Sequence, residues 1–164
     1  MKTYRITKYN PKFRDKNDVY TRNEWTSVSD INNIFDDGLL TQSEYLRVEK
    51  NYIEAIRLIL EELESTYLKV VGIEKHSDII EKTDNLIYTK EDELIYQMSE
   101  EGAILFVNDG LKLFKLILRE KIWCYLVNKE IIIKIGYDYC LNVTLSGNLK
   151  CFSIIENDLG LYIE

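Results

Sequence analysis

Histidine and proline are almost missing from this chain: 164 residues contain one of each, His76 and Pro11. Zinc and non-haem iron centres draw on several His or Cys ligands at short spacing. His76 stands far from Cys124, Cys140 and Cys151, which are themselves widely spaced, so no ligand set forms. A catalytic Cys–His pair would have to use His76, which lies in a polar stretch and reads as an exposed loop residue. No dinucleotide-binding GxGxxG, phosphate-binding P-loop or GxSxG nucleophile pattern occurs, so nucleotide and acyl-transfer chemistry find no motif. Carboxylates are plentiful. However, Asp36-Asp37 reads as a turn pair and Glu61-Glu62 as a helix-surface pair, both solvated, and neither as an acid/base couple with separated pKa values. The chain is expected to be a binding protein and not an enzyme, with no cofactor and no metal.

Other scarcities bound the architecture. One proline and seven glycines are little punctuation for a linker, so residues 1–164 are read as one domain. No apolar run is long enough to span a bilayer, and the opening MKTYRITKYN lacks the apolar stretch of a signal peptide. An odd number of dispersed cysteines predicts free, buried thiols in a reducing compartment, hence a cytoplasmic protein without membrane contact.

What is present is a globular balance: 46% hydrophobic and 30% charged residues. The net charge of −7 is unevenly spread. Residues 1–25 hold seven Lys/Arg against three Asp/Glu, and the remainder holds 14 against 25. An acidic body repels phosphates, so no nucleic acid is expected as partner; a basic protein such as a toxin domain would be drawn to it. Plain solubility accounts for the same charge.

Periodicity predicts an α+β fold, a mostly antiparallel sheet of about five to six strands partly wrapped by two to four helices. Strands are expected at Lys2–Tyr9, Tyr67–Glu74, Ile122–Val127, Glu130–Ile135, Tyr139–Leu145 and Gly160–Glu164. Asn128-Lys129 reads as a two-residue hairpin turn. Thr41 and Glu44 form a capping box for a long helix to about Ser65, buried through Tyr45, Val48, Tyr52, Ile56, Ile59 and Leu63. Trp25–Phe35 reads as a short helix with Ile31, Ile34 and Phe35 on one face. Thr89 opens another helix with Leu94, Ile95 and Met98 inward, and Asn108 or Asp109 caps a central helix to Lys121. Residues 75–89 read as irregular, and 149–157 as helix or strand.

Three segments attract functional attention. In 24–30, Trp25 and Asp30 follow a basic loop, and Trp25 either anchors a ligand or partner or seals the core. At the helix-to-strand corner 118–124, Arg119 and Glu120 either pair with each other or offer a charged site. In Gly136-Tyr137-Asp138-Tyr139, two phenols and a carboxylate are expected at a loop tip; tyrosine supplies large contact area at low entropic cost.

The segments RITKYNPKFR (5–14), EWTSVSDI (24–31), YLRVEKNYIEAI (45–56), LILREKIWC (116–124) and IGYDYC (135–140) resemble a group of small uncharacterised proteins of low-GC Gram-positive bacteria. By size, charge and type alone the chain also resembles immunity proteins of bacterial toxin systems, which bind and block a cognate toxin domain. Three functions are therefore weighed. The first is a protein-binding module, with a toxin-neutralising immunity protein as its sharper form. The second is a small-molecule sensor or enzyme with a polar pocket near Arg14, Trp25, Asp30, Arg119 and Glu120. The third is a homo-oligomer subunit paired through its sheet edges.

Overall fold

The computed structural model describes residues 1–76 and 86–164. The fold is α+β. Its centre is a seven-stranded antiparallel sheet, accompanied by a two-stranded hairpin and, among the described residues, four α-helices. The strands are β1 (Lys2–Thr7), β2 (Ile34–Phe35), β3 (Gly38–Leu39), β4 (Tyr67–Lys75), β5 (Ile104–Phe106), β6 (Ile122–Val127), β7 (Ile131–Ile135), β8 (Leu141–Leu145) and β9 (Tyr162–Ile163). The helices are α1 (Gln42–Glu62), α2 (Lys90–Met98), α3 (Val107–Leu118) and α4 (Cys151–Asp158). The large sheet runs β5-β4-β6-β7-β8-β1-β9, and β2 pairs with β3 apart from it.

Period-two alternation divides the sheet into two faces. Tyr4, Ile6, Leu68, Val70, Ile122, Cys124, Leu126, Ile131, Ile133, Ile135, Leu141, Val143 and Leu145 are buried beneath the helices. The opposite face is half-buried or exposed, apart from Thr7 at the end of β1. One cross-strand row on it runs Ile104, Lys69, Val127, Ile132, Thr144, Thr3. At Gly72, φ +66, β4 carries a register shift against β6, a bulge that only glycine enters without strain. The central helix α3 approaches β4 closely at Gly110, where a Cβ would stand 2.8 Å from Leu68 Cδ1.

The α1 stripe packs as its spacing predicts at Tyr45, Val48, Tyr52, Ile56 and Ile59, which are buried, but the helix ends at Glu62 rather than near Ser65, and Leu63, its C-cap, is only half-buried. Thr41 Oγ1 accepts the Glu44 N–H at 3.2 Å, while the Glu44 carboxylate takes the Arg47 guanidinium at 2.6 and 2.9 Å. A bidentate, charge-assisted pair outcompetes the second half of a capping box.

Four further expectations are corrected. Trp25–Phe35 is no helix: Val28–Asp30 makes one 3-10 turn closed by Ser27 and Asp30, Asn32 adopts φ +74, and the chain turns into the β2–β3 hairpin. Ile34 is consequently 77% exposed and not part of a buried face. In α2 only Ile95 of the three expected residues is buried; Leu94 and Met98 face out, and Asp92 faces in, where it caps Thr89 and meets Lys115 at 2.5 Å. α3 begins at Val107 without a side-chain cap, ahead of Asn108 and Asp109. The β6–β7 loop residues are Lys129-Glu130, one later than expected, because Asn128 pairs with Ile131 through its N–H (2.9 Å) and its side-chain oxygen (3.0 Å). Residues 149–157 largely resolve as helix α4, whose first amides donate to Glu62 at 2.8 Å. The irregular stretch expected at 75–89 falls mostly outside the described residues. Among the described residues no helix is long and apolar enough to cross a membrane.

Candidate functional site

The turn between β7 and β8 is built around Tyr139, which takes the left-handed φ of +58 to bring the chain back into β8. Such a conformation costs a bulky residue about 1–2 kcal/mol, and burial holds it in place. Tyr139 is 3% exposed and packs with ring-centroid distances of 4.9 Å to Trp25, 5.3 Å to Tyr52 and 6.0 Å to Tyr45. Phenols satisfy the buried backbone around it: Tyr52 donates to Tyr139 O at 2.9 Å, Tyr9 to Asp138 O at 2.8 Å and Tyr45 to Leu118 O at 3.1 Å. Burial holds the hydroxyls of Tyr9, Tyr45, Tyr52 and Tyr139 protonated well beyond the usual phenol range. The loop tip therefore presents one phenol, Tyr137, and not two. Trp25, 3% exposed, seals the core beside Tyr139.

The remaining candidates separate. Asp30 is spent on its own turn, accepting from Thr26 N (2.8 Å) and Ser27 N (3.1 Å). Asp138 pairs with Arg5 at 2.8 Å. Arg14 is held by Glu164 at 3.0 Å. Arg119 is buried and turned away from its neighbour Glu120, gripping Glu49 of α1 at 2.7 and 2.8 Å and donating to Ile87 O at 3.0 Å. Burial opposes that guanidinium's charge, yet the Glu49 hydrogen bonds and field outweigh it and hold Arg119 protonated. The pair locks α1 to the end of α3. Glu120, at φ +57, leaves α3 and faces outward. Arg14, Trp25, Asp30, Arg119 and Glu120 thus do not converge on one pocket. A polar cleft does adjoin Trp25, but none of the other four lines it.

What does converge is an apolar cleft of about 320 Å³ at the α3–β6 corner. Ile117 and Leu118 form one wall, Ile122, Ile135 and Tyr139 contribute apolar surface, and Thr26, His76 and Glu120 supply polar groups. Over it stands Tyr137, 91% exposed and stacked on Trp123 at 5.1 Å with an interplanar angle of 15°. Three residues singled out in the sequence, Glu120, Tyr137 and Tyr139, therefore meet here. Sequence reasoning missed Trp123 and His76. Trp123 had a signal: it alternates with the buried Ile122 and Cys124 and so belongs to the open face.

The chain matches no family model, no curated protein and no solved structure. The site is read from its geometry. Among the described residues no group of three or more His, Cys, Asp or Glu is placed to hold a metal ion.

Proposed function

We propose that this protein is a protein-binding module that receives a basic partner at the cleft beneath Tyr137. The observation that carries this reading is the Trp123–Tyr137 stack. A tyrosine that is almost wholly exposed is nonetheless stacked on a neighbouring indole at the mouth of an apolar cleft. Such an aromatic has lost part of its freedom before any partner arrives, so contact with it costs less entropy. Aromatic anchors of this kind concentrate interface energy, and the cleft is of a size to take a partner's apolar side chain. Glu120 at the cleft and the net charge of −7 favour a basic partner and steer its approach.

The sharper form of the reading is an immunity protein that covers a cognate toxin domain. Its support is size, acidity and the aromatic anchor. An interface of about 800 Å² per partner is expected. The test is affinity capture from the native bacterium with the wild-type chain and with Tyr137→Ala, followed by titration of the purified partner. A basic, stoichiometric partner whose affinity falls at least tenfold with Tyr137→Ala supports the module. A partner bound equally by both moves the interface elsewhere.

A further inference from the structure

We infer that the polar cleft beside Trp25, separate from the cleft beneath Tyr137, binds a small zwitterion of the free amino-acid type. Its volume is about 210 Å³, and it forms where four parts of the chain meet. These are Lys8 just past β1, the 13–25 segment, Asp37 in the β2–β3 turn with the first turns of α1, and residues 159–161.

The floor is a buried cation. The Lys8 side chain is 7% exposed and its Nζ lies 4.0 Å from the Tyr9 ring centroid and 4.3 Å from that of Trp25. Glu24 faces it at 3.3 Å and also accepts the Tyr20 hydroxyl at 2.5 Å. Desolvation lowers the Lys8 pKa despite Glu24, with Asp37 adding to the field in its favour. Lysine is seldom held out of water this way unless paired, and Glu24 supplies the pair.

The charges along the walls sort into spent and unspent. Lys8 is matched by Glu24, and Arg47 by Glu44 at 2.6 Å. Arg22 and Asp37 are left. The Arg22 guanidinium stacks on Phe13 at 4.5 Å and Asp37 sits in its turn, and neither has a hydrogen bond or ion pair among the described residues. Both line the same cleft, where Asn23 N donates to Asp36 Oδ2 at 2.8 Å and Asp36 N to Asn23 O at 3.0 Å, tying the segment that carries Arg22 to the turn that carries Asp37. One free guanidinium and one free carboxylate on the rim of one small cleft call for a ligand with the complementary pair. A carboxylate would meet Arg22 in a fork and an ammonium would meet Asp37. Phe13, Val48, Leu159 and Leu161 then offer room for an apolar side chain. The cleft is too small for a nucleotide-sized molecule.

The test is thermal denaturation and calorimetry of the full chain with each of the common L-amino acids at millimolar concentration. The decarboxylated amine and the N-acetyl derivative of any hit are run beside it, with acetate as a bare anion. The expected result is that at least one free amino acid raises Tm through linkage, that both derivatives lose the effect, and that Arg22→Gln and Asp37→Asn each weaken binding at least tenfold. The proposal is overturned if no amino acid shifts Tm or gives a binding isotherm. It is equally overturned if acetate alone does as well, or if the two variants bind like wild type. Neither variant breaks a hydrogen bond or ion pair among the described residues, though Arg22→Gln gives up the stack on Phe13, so the Tm of each unliganded variant checks that the fold is intact.

Discussion

Tyr137 and Tyr139 are two residues apart, yet the fold gives them opposite tasks. Tyr139→Ala removes a buried ring touching Trp25, Tyr45 and Tyr52 and is expected to cost about 3–5 kcal/mol in urea denaturation. Tyr137→Ala, at a 91% exposed position, is expected to change stability by about 0.5 kcal/mol or less. Equal losses would mean that the turn is not built as described. Arg119 makes a second contrast at this scale. Arg119→Met leaves the Glu49 carboxylate buried alone and should cost about 3–5 kcal/mol, whereas Arg119→Met with Glu49→Leu should recover most of that loss. Urea midpoints of the three chains decide the point. Burial pushes the thiols of Cys124 and Cys151 up to about 12, so native protein should react slowly with a thiol reagent at neutral pH and quickly once unfolded. The buried free thiols were legible in sequence; the tyrosine and arginine roles were not, because Tyr137 and Tyr139 are both tyrosines in a turn and Arg119 adjoins Glu120 but never signals Glu49.

At the scale of elements, periodic segments were readable and aperiodic ones were not. α1, β1, β6 and β8 carry an apolar stripe or alternation long enough to fix their type. The 25–35 segment misled because Ile31, Ile34 and Phe35 have helical spacing, while Asp30 closes a single turn and Asn32 enters the left-handed region. α2 misled because an inward stripe was read through Leu94 and Met98, whereas Lys115 of α3 draws Asp92 inward. Strand β5, three residues long, is too short to show any period, which is why seven strands form in the sheet where five to six were expected, while the short closing strand read at Gly160–Glu164 forms as β9. Capping makes its own prediction here. Thr41→Ala removes the side-chain acceptor at the start of α1 and should cost about 1 kcal/mol, measured as a shift of the denaturation midpoint at unchanged slope.

The whole molecule is a sheet with one face under helices and one open, tied together by phenols. Tyr9, Tyr45, Tyr52 and Tyr139 have hydroxyl pKa values raised by burial, so in alkali the unfolded chain releases these protons first. Their contribution is fully present below the ordinary phenol value of about 10 and is lost as pH rises above it. Stability should therefore fall steeply above about pH 10, with these phenolates appearing at 295 nm only as the near-ultraviolet circular dichroism collapses. Early titration of all tyrosines in a folded protein would contradict the burial. The candidate clefts belong to this scale as well. Tyr137 and Tyr139 were visible as a local pair, since they share a turn, whereas Glu120 was singled out at a separate corner and only the fold brings it to the same cleft. Lys8, Arg22, Glu24 and Asp37 were not, because no spacing announces residues that only the folded N-terminal segment brings against α1.

The central claim is that Tyr137 anchors a basic protein partner. Its most direct test is calorimetric titration of the captured partner into wild-type and Tyr137→Ala protein, each at low and high salt. The account predicts at least a tenfold loss of affinity in the variant at unchanged melting temperature, and weaker wild-type binding as salt rises. Equal affinity of the two chains, or binding indifferent to salt, would contradict it.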